Sequence, residues 1–460
     1  MRQSRWSLAK MRYCVVFATC LLVFATTCTT AAPFDQGRVL QGEPAVLPAR
    51  ERVAVENRIL TERLQTLLPE LMAETDIDMW LVLSREYAED PVYFTLVPQP
   101  TFAARRTTLL AFHRKADGSV DRLVVNRYPL GEPYTSVWSG GDLDAQWRAL
   151  GKLIEERQPR RIGINQSRQW AIADGLSKSL HERLLEVLPE DYRSRLVSAQ
   201  DLVVRWTETR TAAEQAVYPH IVALARSVVA DAFSSSVITP GVTTTDDVAW
   251  YIRGRYEALG LPVWFMPDVN LQRAGQACDR DSPFCGGQGV IEPGDVLHTD
   301  VGLCYLKLCT DTQEMGYVLR LGETEVPRGL REALATGNRW QDLLVAQFRT
   351  GSTGSEILAA TRAAASKAGI ESSTYSHPIG FFGHAAGPTI GMWDDQSGLA
   401  DGGQWPLHPD TAYAIEGNIK AQVPEWNGQW VQVKLEQSAL FDGRRVHYLA
   451  GRQTAWHVVR

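Results

Sequence analysis

The first half of the chain alternates between two hydrophobic patterns. Apolar residues recur at helical spacing over residues 51–75 (ERVAVENRILTERLQTLLPELMAET), and the same spacing returns near 141–157 and 169–188, which predicts helices. The second pattern consists of short apolar runs, which predict strands: MWLVLS (79–84), RTTLLAFHR (106–114), RLVVNRY (122–128) and RIGINQS (161–167). This alternation of helices with strands is typical of an α/β domain, which we predict over residues 33–204.

The second half changes to long helical patterns separated by strand-like runs. Helices are predicted from about residue 208 and at 239–260, 327–348 and 353–368. Helices packed on a largely antiparallel sheet make an α+β domain, which we predict over residues 205–460. The strand-like runs are DVLHTDVGL (295–303), TQEMGYVLRL (312–321), TAYAIEGNIKA (411–421) and QWVQVKLEQSALF (429–441).

Capping residues mark the ends of two of these helices. Thr244 or Thr245 stands where an N-cap is expected for the 239–260 helix, with acidic residues following in its first turn. Gly260 fits just past its end, and Gly369 fits just past the end of the 353–368 helix.

The N-terminus has the order of a secretory signal peptide. MRQSRWSLAKMR carries four basic residues and no acidic one, and a largely apolar run over 13–25 follows it. That run is too short for a transmembrane helix. Small residues then precede Pro33, so we expect cleavage near Ala32 and an exported protein, periplasmic or secreted. A lipid anchor at Cys28 is the alternative, although the threonines before it fit a lipobox poorly.

Composition narrows the class of the mature protein. Hydrophobic residues make up 45% of the chain and charged residues 22%, as in a packed globular protein. The net charge is −6, and removing the four basic residues of 1–32 makes it about −10. Without a basic run in the body of the chain, a nucleic-acid partner is not expected. No second apolar span has membrane length, so we expect no membrane insertion after cleavage.

Cysteine spacing favours disulfides in the mature chain. Of seven cysteines, three lie in the predicted signal peptide, which leaves an even number. Six residues separate the first remaining pair and four the second, and in an exported protein this favours disulfides over the alternative, a structural Cys₄ zinc site. The expected pairs are Cys278–Cys285 and Cys304–Cys309.

Two aspartates stand eleven positions apart in HTDVGLCYLKLCTD (298–311). A tight hairpin centred on Leu306 and Lys307 would bring Asp300 and Asp311 together on adjacent strands, with Cys304 opposite its partner. Two neighbouring carboxylates repel and raise each other's pKa, and a divalent cation removes that penalty. The alternative is that each aspartate is a solvated turn residue.

Further acidic and imidazole groups favour the metal interpretation. Glu416 and Glu436 each lie inside an apolar strand, where an isolated glutamate is costly unless it is paired or bound to metal. His377 and His384 lie in the Gly-rich segment SHPIGFFGHAAGPTIGMWD (376–394). Two Asp, two Glu and one His suit Mn²⁺ first, with Co²⁺ or Zn²⁺ as alternatives, and four carboxylates balance two divalent metal ions.

The order of these motifs resembles the pita-bread metallopeptidases, which include methionine aminopeptidase, aminopeptidase P and prolidase. The resemblance covers roughly residues 205–455, and more weakly the N-terminal domain, which is similar to that of prolidase and creatinase. Unlike creatinase, this chain keeps all five ligand positions. The matching motifs are DVG with Asp300, Asp311 at the family spacing, GHAAG with His384, AIEGN with Glu416 and KLE with Glu436.

The resemblance implies a metallo-exopeptidase that hydrolyses short peptides, of Xaa-Pro type. Asp311 and Glu436 would bridge two metal ions, Asp300 would complete the shell of one, and His384 with Glu416 that of the other. Glu416 would also carry a proton to the leaving amine. His377 is the candidate for stabilising the oxyanion, with a purely structural histidine as the alternative.

Departures from the family pattern keep two other functions open. Gly391 stands where a further histidine is usual, residues 221–297 contain no histidine, and TQEM replaces the usual Thr-Arg after the second aspartate. The alternatives are a pita-bread binding protein without turnover, and a hydrolase of a non-peptide amide or ester on the same scaffold. Homodimers are common in the family, so the resemblance makes a homodimer one candidate for the oligomeric state.

Overall fold

The structure is a computed structural model that describes residues 44–276, 278, 281–282, 284–398 and 402–460. The predicted signal peptide, residues 1–32, and the lipid-anchor alternative at Cys28 lie outside the described residues. In the described part of the chain, no helix combines the length and apolar character needed to cross a membrane.

The N-terminal lobe, residues 44–208, is built on a mixed sheet. Its strands run in the order β4-β3-β2-β1-β5-β6, with β1 antiparallel to β2 and parallel to β5. All four predicted strands are present. Their bounds are β1 Met79–Arg85, β2 Thr107–Arg114, β3 Val120–Asn126, β4 Thr135–Ser136, β5 Ile162–Ile164 and β6 Leu196–Ser198.

Helices cover both faces of this sheet. The predicted 51–75 helix is continuous, with one π-helical segment at Arg63–Leu67 between α1 and α2. One face packs α1, α2 and α7 against Trp80 and Phe112, and the other packs α4 and α5 against Leu81 and Leu109. The bounds are α1 Ala49–Glu62, α2 Leu68–Glu74, α3 Tyr93–Leu96, α4 Leu143–Arg157, α5 Lys178–Val187, α6 Glu190–Arg193 and α7 Gln200–Glu208.

The prediction of one helix over 169–188 is wrong in its first half. Ser167 Oγ accepts hydrogen bonds from the backbone N–H groups of Gln169 and Trp170, which favours a turn over a helix. A single 3₁₀ turn, Ala171–Ala173, follows, and α5 begins only after its N-cap Ser177. Helix α7 runs through residues 204 and 205, where we predicted the domain boundary, and that boundary stays a prediction.

The C-terminal lobe, residues 209–460, wraps helices around a largely antiparallel sheet of order β12-β14-β15-β11-β8-β7. Strands β13, β16 and β17 pair with β14, β15 and β11, the last in parallel. The four predicted strands and the predicted hairpin are present, whereas β7, β12, β13, β16 and β17 were not predicted. Their bounds are β7 Asp268–Gln272, β8 Val296–Val301, β9 Cys304–Tyr305, β10 Leu308–Cys309, β11 Thr312–Val318, β12 Glu371–Thr374, β13 His377–Ile379, β14 Thr411–Val423, β15 Gln429–Phe441, β16 Val446–Tyr448 and β17 His457–Val459.

Helix α9 begins and ends at its predicted capping residues, and α11 ends at the predicted glycine. Thr244 accepts a hydrogen bond from the N–H of Asp247, whose carboxylate accepts from the N–H of Thr244, forming a capping box. Gly260 and Gly369 have φ of 65° and 66°, the left-handed conformation that ends a helix. The bounds are α8 Ala212–Ala232, α9 Thr245–Ala258, α10 Arg328–Val345 and α11 Gly354–Lys367.

A buried ion pair joins the two lobes. Arg63 in the N-terminal lobe lies 2.6 Å from the carboxylate of Glu214 on α8, and both side chains are fully buried. Arg210 pairs with the other oxygen of Glu214 at 3.0 Å. The guanidinium groups of Arg63 and Arg210 lie 4.7 and 5.0 Å from the ring centre of Phe381. The joint between the lobes therefore contacts the segment that leads to His384.

Candidate metal centre

The predicted hairpin brings the two aspartates together. Strands β9 and β10 pair Cys304 with Cys309, and the two turn residues, Leu306 and Lys307, have φ of 53° and 62°. Positive φ at both positions is the requirement of a type I′ turn. Strands β8 and β11 then run antiparallel on either side of the hairpin, with Asp300 opposite Gln313 and Asp311 directly before β11.

Both predicted disulfides are present, Cys278–Cys285 and Cys304–Cys309. The second one closes the hairpin directly before Asp311. Its Cys309 donates a backbone hydrogen bond of 2.7 Å to the carbonyl of Gly380. The hairpin therefore supports the loop that carries His384 as well as positioning the aspartates.

The two glutamates face each other across paired strands. Glu416 on β14 is directly opposite Glu436 on β15, and Gln313 on β11 is opposite Glu436. The side-chain amide of Gln313 donates to Glu416 at 2.9 Å and to Glu436 at 3.0 Å. Three neighbouring strands thus direct polar groups to one point in an otherwise apolar sheet.

The histidines reach this point from β13 and the loop after it. His377 lies below the carboxylates, with Nε2 at 3.5 Å from Glu416, 3.7 Å from Asp311 and 3.8 Å from Glu436. The His384 ring lies 4.7 Å from that of His377 and 4.9 Å from that of Trp264, centre to centre. His384 is exposed on the cavity wall, whereas His377 is buried.

Potential ligand atoms converge in overlapping sets. Among the described residues, the groups whose ligand atoms lie within 4.8 Å of one another share members: Asp311, His377 and His384; His377, Glu416 and Glu436; Asp300, Asp311 and Glu436. The structure thus brings together all five predicted ligands and His377. Their assignment as ligands, and the roles of Glu416 and His377 in catalysis, stay predictions.

The burial and close spacing of these carboxylates favour the binding of a cation. Burial, and then the negative charge of its neighbours, raises the pKa of Asp300, Asp311 and Glu436 well above the usual range. Burial raises the pKa of Glu416 to about 8. Oxygens of Asp300, Asp311 and Glu436 are buried with no hydrogen-bond partner among the described residues. Unpaired buried carboxylates are costly, so the donor set fits divalent cations.

The two imidazoles are neutral in this setting. Burial lowers the pKa of both His377 and His384 to about 4. The Nδ1 atom of His377 lies 3.1 Å from the carbonyl of Pro378, which can only accept, so Nδ1 carries the proton. Nε2, which has no hydrogen-bond partner in the described structure, therefore presents a lone pair toward the carboxylates. Neutral imidazole and carboxylate groups together suit Mn²⁺, Co²⁺ or Zn²⁺.

Residues 220–441, which hold this whole cluster, match the family model described as metallopeptidase family M24. Residues 220–441 of this chain belong to metallopeptidase family M24. The chain is a peptidase and therefore a hydrolase, and the family is typically dependent on divalent metal. No curated protein sequence matches this M24 chain.

Solved structures share the two-lobe architecture of this M24 peptidase. X-Pro aminopeptidase from Thermotoga maritima MSB8 is 17% identical, with a TM-score of 0.60 over 85% of this chain and 100% of its own. Xaa-Pro dipeptidase from Bacillus anthracis is 18% identical, with a TM-score of 0.59 over 90% of this chain and 100% of its own. Dipeptidase PepE from Mycobacterium ulcerans is 19% identical, with a TM-score of 0.56 over 88% of this chain and 98% of its own. At these identities the likeness shows the fold.

Sequence reasoning missed several polar residues of the M24 site. Gln313, His298 and Lys434 all line its cavity. His298 Nε2 lies 2.9 Å from the Gln313 side-chain oxygen. His298 stands two positions before Asp300 and Lys434 two before Glu436, so the two-residue period of a strand places each on the ligand's face. That period was the signal available for finding both.

Proposed function

We propose that this chain is a dinuclear metal-dependent exopeptidase of aminopeptidase P or prolidase type, acting on short Xaa-Pro peptides. The observation that carries the proposal is the cluster of four neighbouring carboxylates and two neutral imidazoles. Among the described residues that line the cavity, Lys434 is the only lysine or arginine, so five lining carboxylates meet one fixed positive charge. Two divalent cations would balance that excess.

The chain offers ligands for both cations. Asp300, Asp311 and Glu436 would hold one, and Asp311, Glu436, Glu416 and His384 the other, with Mn²⁺ as the first candidate and Co²⁺ or Zn²⁺ as alternatives. When bound, such ions supply Lewis-acid polarisation of a peptide carbonyl and activate water as a nucleophile at neutral pH.

Side chains of the protein supply the remaining tasks. Glu416 at the cavity floor would accept a proton from the attacking water and pass it to the leaving amine. The oxyanion role predicted for His377 requires a donor at Nε2, whereas its hydrogen bond to Pro378 places the proton on Nδ1. We therefore favour a further ligand role for His377, since Nε2 faces three carboxylates.

The size of the cavity limits the substrate. Its volume is about 650 Å³, within the range of about 300–1,000 Å³ that is usual for small-molecule sites. A short peptide fits such a volume and a folded protein does not. The solved structures with the same fold include proteins described as an X-Pro aminopeptidase and an Xaa-Pro dipeptidase, which supports the Xaa-Pro class.

We also propose that the enzyme works after export. The predicted signal peptide is one support. The other is the pair of disulfides, which persist in oxidising compartments and are rare in the cytosol. Fractionation of cells that express the full-length chain tests this, and a purely cytosolic product with free thiols would contradict it.

Turnover of a dipeptide panel tests the activity. Metal-free protein is loaded with Mn²⁺ and assayed on Xaa-Pro dipeptides, tripeptides with proline second, and non-peptide amides and esters. We expect proline peptides to be cleaved, and Glu436→Gln and His384→Ala to abolish cleavage. Glu314→Gln is the matched control, because Glu314 on the same sheet pairs with Arg226 and His457 outside the site.

Other outcomes favour the alternatives. Turnover of amides or esters without peptides would favour a non-peptide hydrolase. Metal uptake with no turnover of any substrate would favour a binding protein. Unchanged activity in Glu436→Gln and His384→Ala would show that the site is misassigned.

A further inference from the structure

Two exposed aromatic rings face each other at the wall of the cavity. Phe284 is 54% exposed and Trp393 is 49% exposed, and both line the cavity that contains the carboxylates. Their ring centres lie 5.2 Å apart with an interplanar angle of 36°. Large aromatic side chains left open beside a cavity are typical of a binding surface.

Phe284 is presented by the disulfide-closed loop Cys278–Cys285. Cys285 is buried, lines the cavity and donates its backbone N–H to the Gln432 side chain at 2.8 Å. Lys420 on β14 donates to the carbonyl of Ser282 at 2.5 Å. Two described positions of this loop, Ser282 and Cys285, are therefore held on β14 and β15, the strands that carry the two glutamates, while the Phe284 ring stays about half exposed.

A cation also lies near the Phe284 ring. The Lys434 ammonium lies 5.6 Å from the ring centre, a cation–π distance. Lys434 stands two positions before Glu436 on the same face of β15. Phe284, Trp393 and the predicted ligand Glu436 line the same cavity, so a peptide bound at the carboxylates could place one side chain against the aromatic pair.

The rest of the cavity wall is apolar enough to complete this surface. Trp264 and Phe265 line it, and the Trp264 indole is fixed by a hydrogen bond of 2.9 Å to the carbonyl of Thr310. Phe284 and Trp393 are each about half exposed, which leaves part of each ring surface available for contact with a ligand. Aromatic faces carry partial negative charge, so they favour apolar and aromatic side chains over acidic ones.

We propose that the exposed surfaces of the paired Phe284 and Trp393 rings, here called the aromatic clamp, contact the side chain of the residue before proline. This contact selects peptides in which that residue is aromatic or large and aliphatic. This inference rests on the proposed Xaa-Pro peptidase function. All such substrates contain proline, so the selectivity of the clamp is measured by varying the residue before proline. The Cys278–Cys285 disulfide is the positioning element of the clamp.

The test compares kcat/KM for Phe-Pro, Leu-Pro, Ala-Pro and Asp-Pro. Wild-type protein should prefer Phe-Pro over Ala-Pro, and Phe284→Ala and Trp393→Ala should each lower that ratio by roughly 2- to 10-fold. Phe102→Ala is the matched control, because Phe102 is 84% exposed in the N-terminal lobe and should leave the ratio unchanged. Equal loss on all four dipeptides in Phe284→Ala would overturn the proposal, as would a wild-type ratio near one.

The disulfide is tested by the double variant Cys278→Ser/Cys285→Ser. We expect its Phe-Pro to Ala-Pro ratio to fall as in Phe284→Ala, because the loop no longer fixes the ring. A ratio equal to that of wild type would overturn the positioning role.

Failure of the proposed function gives a different result. If wild-type protein cleaves no Xaa-Pro dipeptide, the function is wrong, and calorimetric titration of the Mn²⁺-loaded protein with Phe-Pro and Ala-Pro still reads the clamp. Tighter binding of Phe-Pro that is lost in Phe284→Ala would support the clamp by itself. Equal affinities would overturn it.

Discussion

Glu416 and Glu436 occupy directly opposed positions on two paired strands, and one amide nitrogen, that of Gln313, donates to both. Like charges directly opposite each other destabilise an antiparallel pair. The pair is tolerable in the absence of metal only with protons on the carboxylates, which agrees with the raised pKa of each. Metal binding and fold stability should therefore be linked.

Metal removal should lower the thermal stability. A ligand that binds only the folded state stabilises it by about 2.7 kcal/mol at a free concentration of 100 times its Kd. We expect Mn²⁺ to raise the Tm of the metal-free protein, and Glu436→Gln to remove most of that rise while making the metal-free protein more stable. Scanning calorimetry with and without EDTA checks this. Glu314→Gln should keep the rise, and a Tm indifferent to metal in wild type contradicts the prediction.

Gln313→Leu should destabilise the metal-free protein. The substitution leaves two buried carboxylates without their shared donor and His298 Nε2 without its partner. Leaving buried polar groups unpaired costs about 1–3 kcal/mol each. Urea unfolding in EDTA measures the loss. The loss should shrink in saturating Mn²⁺, where cations take over the carboxylates, and an equal loss in both conditions would sink this explanation.

Asp90 should make the free energy of unfolding fall as the pH rises. A carboxylate whose pKa is lowered in the folded state has the opposite effect. Asp90 is buried beside Asn165, and burial raises its pKa to about 6. Because the pKa of Asp90 is higher in the folded than in the unfolded state, its contribution to the free energy of unfolding is complete below about pH 4. That contribution is lost as the pH rises through 6, and the loss is about 3 kcal/mol. The stability of Asp90→Asn relative to wild type should therefore improve between pH 4 and pH 7.5. Urea unfolding at both pH values decides, and a constant difference contradicts the assignment.

Breaking the Cys304–Cys309 disulfide should weaken metal binding. Cys309 supports the carbonyl of Gly380 in the loop that leads to His384. Loss of groups that orient a ligand typically costs about 10–100-fold in metal affinity. We expect Cys304→Ser/Cys309→Ser to fall within that range in a competition titration with a chelator. Cys278→Ser/Cys285→Ser is the control with unchanged metal affinity, and equal effects of both double variants would contradict the distinction.

The convergence of the candidate ligands was predictable in part because the two glutamates break a local rule of the sequence and the two aspartates flank a predicted hairpin. Glu416 and Glu436 are charged residues inside apolar strands, and Asp300 and Asp311 flank a hairpin whose turn could be centred from the pattern alone. Such conflicts between local pattern and residue type mark functional positions. The four long strand segments and the main helices of the C-terminal lobe followed from periodicity, and the caps of α9 and the end of α11 followed from residue type.

What the sequence concealed depends on contacts between distant residues. Strand β7, Asp268–Gln272, follows an irregular segment and pairs with β8 only in the folded sheet. The convergence of Gln313 on both glutamates depends on three strands in register, and the approach of Phe284 to Trp393 joins two loops more than a hundred positions apart. The 169–188 error arose because helical spacing outweighed the turn-forming Ser167.

The contacts of Arg63 and Arg210 with the Phe381 ring couple the two lobes. Exchange of the N-terminal lobe by recombination would remove Arg63 and uncover one side of the Phe381 ring, three positions from His384. A new lobe would be retained only if it brought an equivalent guanidinium to Glu214. Selection on the candidate metal centre would therefore extend to a lobe that contributes none of the six converging side chains, and the two parts should diversify together.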